Sequence, residues 1–162
     1  MGLGLGKTTL SNALSKKLNI PATHIDGIHH LPNWQIRDNT ERDKMILDIV
    51  KNKKWIIDGT YKSTLKQRLE AADLIIWLDY SSFTQIKGIL KRTIQIHGQE
   101  KEEIPGCKEK MTKEFFFYTW NFRKNKRHYI VDNLDNKHND KLLHFLSQRQ
   151  LNKWRKENGI KF

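Results

Sequence analysis

The chain has 162 residues, 37% of them hydrophobic and 30% charged, with a formal net charge of +12. That length supports one domain with a single sizeable core rather than two, and no run approaches the roughly 18 apolar residues of a membrane-spanning helix. A single cysteine, Cys107, leaves no partner for an intramolecular disulfide and fits a reducing cytoplasm.

The first feature in chain order is Gly2-Leu3-Gly4-Leu5-Gly6-Lys7-Thr8-Thr9-Leu10. It reads as a phosphate-binding loop entering a helix, on the pattern G-x-x-x-x-G-K-[ST]. Glycines let successive backbone N–H groups converge on a phosphate, and the following helix aims its positive end at the same anion. Gly2, Gly4, Leu5, Gly6, Lys7, Thr8 and Thr9 are the expected nucleotide contacts. Lys7 would reach the β- and γ-phosphates and the Thr8 hydroxyl would hold Mg²⁺. Met1 stands where the pattern has its first glycine. An apolar strand and a glycine are therefore expected ahead of it. The N-terminal segment does not read as a signal peptide, because Gly and Lys7 break its apolar run.

A helix is predicted from Thr8 to Leu18, with Leu10, Leu14 and Leu18 on one face and Asn19 and Pro21 ending it. A short strand, Ala22 to Ile25, closes on Asp26, at the sheet edge where α/β proteins bind ligands. Asp26 is a candidate acceptor for a substrate hydroxyl or a contact near Mg²⁺; as a turn residue before Gly27 it also makes sense. His29 and His30 are adjacent and no Cys or His lies at a useful spacing, which argues against zinc. Trp34, in a polar loop, suits stacking on a base or capping a small core.

Asn39 or Thr40 is the expected cap of a helix carrying Met45, Ile46, Ile49 and Val50. Trp55-Ile56-Ile57 is continuously apolar, the pattern of a strand buried on both faces, and runs into Asp58-Gly59-Thr60-Tyr61. A helix over Thr64–Ala72 follows, then an apolar strand from Leu74 to Leu78 closed by Asp79. Three strands ending on acids and separated by helices form a βαβ alternation. Right-handed crossovers would line Asp26, Asp58 and Asp79 along one edge.

Phe83 to His97 reads as a helix, and the polar segment from Gly98 to Lys110 as a loop. Residues 114–122 are dense in aromatics, followed at once by Arg123, Lys124, Lys126 and Arg127. Exposed rings beside cations would make a base-stacking platform. Inward packing is the favoured reading, because so many exposed rings would aggregate. Leu142 to Leu146 is the last strand, and Ser147 with Gln150 opens the final helix, which Gly159 ends. Residues 1–80 carry 12 Lys/Arg against 9 Asp/Glu, whereas residues 81–162 carry 18 against 9. The basic second half is a candidate surface for nucleic acid, or a solvated lysine-rich face.

Taken together these segments resemble the P-loop kinase superfamily, and within it the DNA topology modulation proteins (FlaR-like, adenylate kinase-related). The likeness rests on the phosphate loop, His24-Ile25-Asp26, Pro32-Asn33-Trp34, Trp55 to Tyr61, Thr64-Leu65 with Arg68-Leu69, Ala72-Asp73, Leu78-Asp79, Lys91-Arg92, Gly106 to Glu109, and Phe116 with Trp120. The resemblance implies one three-layer α/β domain over residues 1–162. Its five-stranded parallel sheet would be flanked by helices, as in P-loop NTP hydrolases and nucleoside monophosphate kinases, here with the N-terminal central strand missing. It also implies Mg-ATP as cofactor, transfer of phosphate to a small acceptor, and a lid-like insertion around residues 91–127. Lys7, Asp26, Arg92 and Arg127 are then the catalytic candidates, with Arg123 behind Arg92. Trp34, Asp26, Asp58, Gly59, Tyr61 and Arg68 would face the acceptor, Arg68 through an anionic group. Thr8 and Asp79 would hold the metal. The lid pattern commonly has arginine after its first glycine, where this chain has Gln99-Glu100-Lys101 after Gly98.

Overall fold

The computed structural model describes residues 6–96, 100–101, 104–108, 121, 127–134 and 136–161. Helix α1 spans Lys7–Leu18 and ends where Asn19 turns left-handed at φ 53°. Leu10 and Leu14 pack inward, but Leu18 is half exposed, because the helix outruns the core it lies on. Strand β1 (Ala22–His24) is shorter than expected, and Ile25–His29 form a separate helical turn, α2. Asp26 therefore sits in the first turn of α2 and not in a loop at a strand end.

The loop after α2 is clamped at its neck, where the Leu31 N–H donates to the Gln35 carbonyl and the Arg37 N–H to that of His29. Its tip is a tight turn, Pro32–Trp34, with both Asn33 and Trp34 at positive φ. Helix α3 (Asn39–Val50) is capped by Asp38, one residue before the expected caps, whose carboxylate accepts from the Thr40 and Glu41 N–H groups. Strand β2 is Ile56–Asp58. A short turn, Lys62–Thr64, leads into α4 (Leu65–Ala71), and β3 is Ile75–Leu78. Helix α5 runs over Ser82–Ile96.

The segment expected to be a polar loop contains an antiparallel hairpin, β4 (Glu100–Lys101) with β5 (Ile104–Lys108), and β5 passes alongside the Pro32–Trp34 turn. Residues 127–133 are helical (α6), Asn136–Lys141 form a tight helical turn, and β6 is Leu142–Phe145. Helix α7 (Gln148–Glu157) opens on a full capping box, with Ser147 and Gln150 each bonding the other's backbone. The aromatic run at 114–120 and Phe122 lies outside the described residues.

Among the described residues the strands make mixed α/β architecture from small sheets. β1 pairs parallel with β2, from Ala22 opposite Ile56 to His24 opposite Asp58. β3 pairs parallel with β6, from Ile75 opposite Leu142 to Leu78 opposite Phe145. Helix α1 spans both. Its Leu10 and Leu14 pack with Leu78, Tyr80, Phe145 and Leu151, while its polar face meets β1 and β2. A second cluster joins Ile25, Ile28 and Ile46 to Ile57 and Tyr61, and a third joins Leu65, Leu69 and Ile75 to Tyr129. Every residue of β2 is only partly buried, against the two-sided burial its apolar sequence predicts. None of the described helices is long and apolar enough to cross a membrane.

Candidate functional site

Helix α1 begins on Gly6 at φ 77°, a conformation that favours glycine. No acidic residue stands in its first turn. Among the described residues no side chain caps its opening N–H groups, and Lys7 and Thr8 stand beside them. A helix start of this kind fits an anion. Gly2, Gly4 and Leu5 lie outside the described residues, as does the side chain of Arg92 in α5.

Behind this helix start sits a polar cluster. Asp58, at the end of β2, is 2.8 Å from His24 Nδ1 and 2.7 Å from the Ser11 hydroxyl, both through Oδ2. Burial pushes the Asp58 carboxyl up, but the His24 hydrogen bond, the charge of Lys7 and the Ser11 hydrogen bond outweigh it and hold it below its ordinary value. A carboxylate only accepts, so His24 donates through Nδ1. Its Nε2 meets the Asn12 side-chain amide at 3.0 Å. The parallel pairing of β1 with β2 sets His24 directly opposite Asp58. Ser11, Asn12 and His24 were not among the site residues expected from sequence. The signals available were their place one turn after the loop and, for His24, its part in the His24-Ile25-Asp26 run.

Two residues beyond His24, Asp26 is exposed and accepts a 3.0 Å hydrogen bond from the Tyr61 hydroxyl. From Tyr61 a ladder of rings runs outward. Tyr61 and His29 have centroids 5.0 Å apart, His29 and His30 4.7 Å, and His30 and Trp34 5.3 Å, each pair steeply inclined. Asp26, Tyr61 and Trp34 thus fall on one chain of contacts, while Asp58 lies in the polar cluster with Ser11 and His24 and feels the Lys7 charge.

Gly59 and Arg68 have a different place. Gly59 has φ 131°, and a Cβ there would stand 2.8 Å from that of Ile25, so packing against α2 demands glycine. Arg68 is 5% exposed and lies behind the loop. Its guanidinium donates to the carbonyls of Gly59 at 2.9 Å and Tyr61 at 2.8 Å and to Thr64, and burial lowers its pKa to about 10. It fixes the loop that carries Tyr61. Buried Arg42 likewise donates all its N–H groups to protein: Asp43, Asn39, Ser63 and His29 Nδ1. It also lies 5.0 Å above the Tyr61 ring.

Asp79 and Arg127 meet each other. Arg127 Nε donates to Asp79 Oδ2 at 2.9 Å, and His144 Nε2 approaches the same oxygen at 3.3 Å. His144 stacks on Trp77 at 4.2 Å, and Arg127 caps that ring. Asp79 thus belongs to a cluster on the β3–β6 pair, whereas Asp26 and Asp58 share the β1–β2 side. No group of three or more His, Cys, Asp or Glu among the described residues is arranged to hold a metal ion.

No family model matches this chain, and neither does any curated protein or solved structure.

Proposed function

We propose that this chain is an ATP-binding phosphotransferase of the P-loop kinase type, acting in the cytoplasm on a small hydroxyl-bearing acceptor. The observation that carries this reading is the uncapped, glycine-led start of α1 with Lys7 and Thr8, backed by an Asp58 carboxylate that feels the Lys7 charge. Lys7 is read as the β,γ-phosphate contact and Thr8 as the residue that would hold Mg²⁺. In the transfer, an acceptor oxygen attacks the γ-phosphorus and a new P–O bond forms. The bond from that phosphorus to the β,γ-bridging oxygen breaks, ADP leaves, and the acceptor proton passes to Asp26. Arg127 and Arg92 are proposed to meet the transferred phosphoryl group, Arg127 on leaving Asp79.

In this reading the β1–β2 and β3–β6 pairs are two flanks of one parallel sheet, in the order β1, β2, open position, β3, β6. The partial burial of β2 and the single helix shared by both flanks support it. Lys7→Ala tests the function: ATP binding, measured by calorimetry, should fall at least about tenfold, in keeping with the loss of a charged hydrogen bond. The circular dichroism spectrum should be unchanged. Equal ATP affinity in the variant removes the reading.

A second reading is binding of nucleic acid through the basic second half. It is favoured by an exposed stripe on α7, Arg149, Lys153 and Lys156 at i, i+4 and i+7. Affinity for duplex DNA that falls steeply with salt, and falls again when the three become Gln, would support it.

A further inference from the structure

The ladder Tyr61–His29–His30–Trp34 borders the exposed Asp26, and its outer ring is held at some conformational cost. Asn33 and Trp34 both take left-handed φ values, 60° and 61°. For a residue as bulky as Trp this is a strained conformation of the kind concentrated at binding sites. The strain leaves Trp34 40% exposed at the tip of a clamped loop. A ring presented this way suits a planar partner.

The charges beside the ladder point the same way. Among the described residues three arginines lie close to it, and each has a protein partner. Arg42 donates its whole guanidinium inward, Arg68 serves the loop carbonyls, and Arg37 donates to the Ile28 carbonyl at 2.8 Å and pairs with Glu41. Lys62, next to Tyr61, lies 4.4 Å over the Tyr129 ring. A phosphate monoester bound here would meet the Asp26 carboxylate, and each nearby arginine among the described residues already holds a protein partner, Arg37 through Nε and Nη1. Arginine donates only, so His29 Nδ1 must accept from Arg42, and the neutral ring carries its proton on Nε2. Burial, His30 and Arg42 all favour that neutral form. The site thus offers rings, a neutral N–H donor and a hydroxyl-accepting carboxylate.

We infer that this ladder binds an uncharged, planar-ring alcohol of the nucleoside class, and that it discriminates against the corresponding 5′-monophosphate. The proposal rests on the phosphotransferase reading only in treating this ligand as the phosphoryl acceptor; the binding stands apart from it. Asp26 takes the hydroxyl, Tyr61 orients Asp26, and Trp34 covers the ring.

The test is calorimetric titration of the full chain with adenosine, guanosine, cytidine, uridine and thymidine, and with their 5′-monophosphates, in parallel with ATP. At least one nucleoside should bind about tenfold or more tightly than its monophosphate. Trp34→Ala should weaken that binding about tenfold, as loss of a stacking ring does, and Trp34→Phe should retain most of it. Asp26→Asn should weaken the nucleoside yet strengthen the monophosphate, a crossover that a merely structural Asp26 would not give. Tighter binding of monophosphates, or no nucleoside binding, overturns the inference. ATP binding that depends on Lys7, together with monophosphate preference, sinks this proposal and leaves the phosphotransferase reading standing. Nucleoside binding that depends on Trp34, without any ATP affinity, does the reverse.

Discussion

Arg68 illustrates how one side chain is committed before any ligand arrives. It closes hydrogen bonds to two carbonyls on the loop that carries Tyr61 while almost wholly buried. Arg68→Ala would strand both carbonyls and leave a void, so a loss of about 3 kcal/mol is expected, read by urea unfolding. Arg68→Lys should recover only part, because one ammonium cannot serve the same fork of acceptors. If the alanine variant unfolds at the same urea concentration, the guanidinium is not holding the loop. His29 supplies a pH dependence. Its folded-state pKa lies below the ordinary 6.5 through burial, then His30 and Arg42, so the unfolded chain takes up the proton more readily. The stabilisation from neutral His29 is therefore complete above 6.5 and is lost as pH falls through 6.5 towards the folded-state value. His29→Asn keeps an acceptor for Arg42 but cannot titrate. The melting-temperature gap between wild type and variant should narrow as pH falls, and a constant gap would refute the assignment.

At the scale of elements, the helices were the most legible part of the sequence. The Leu10–Leu14 spacing, the stop at Asn19 and the Ser147–Gln150 capping box each act over one or two turns, so local residues decide them. The cap of α3 shifted to Asp38, because an aspartate one residue earlier offers its carboxylate to two N–H groups at once. The strands were found, β1, β3 and β6 each a residue shorter and β2 shifted by one. Pairing fixes strand length, and each has one parallel neighbour in the described sheets. Ile25 left the expected strand, and Asp26 its end, as Ile25 is drawn into a core with Ile28 and Ile46 in a helical turn. The β4–β5 hairpin carries Pro105 and Gly106 within a strand, so its composition read as loop.

Across the whole molecule, the site was legible as a set of residue types and not as a map of contacts. Of the expected residues, Asp26, Tyr61 and Trp34 meet along one chain of contacts and Asp58 sits in a polar cluster near Lys7, since strand ends and loop tips follow from element order. The tasks of Arg42, Arg68 and Gly59 were not legible, because nothing local shows which carbonyls or methyl groups a fold will bring against a buried side chain. The alignment of Asp79 with the other two acids depended on all strands sharing one sheet, and the strands pair two by two. That division has a further consequence through α1. Its hold on β3 and β6 is apolar, through Leu10 and Leu14, whereas its hold on β1 and β2 runs through Ser11, Asn12, His24 and Asp58. Contacts of such different chemistry should release under different conditions, making the two pairs separate cooperative units. Amide hydrogen exchange followed by mass spectrometry should show β1 and β2 opening first as pH falls below the Asp58 range, with α1, β3 and β6 still protected. Loss of protection in all of them together would mean that one cooperative unit spans both sides of the helix.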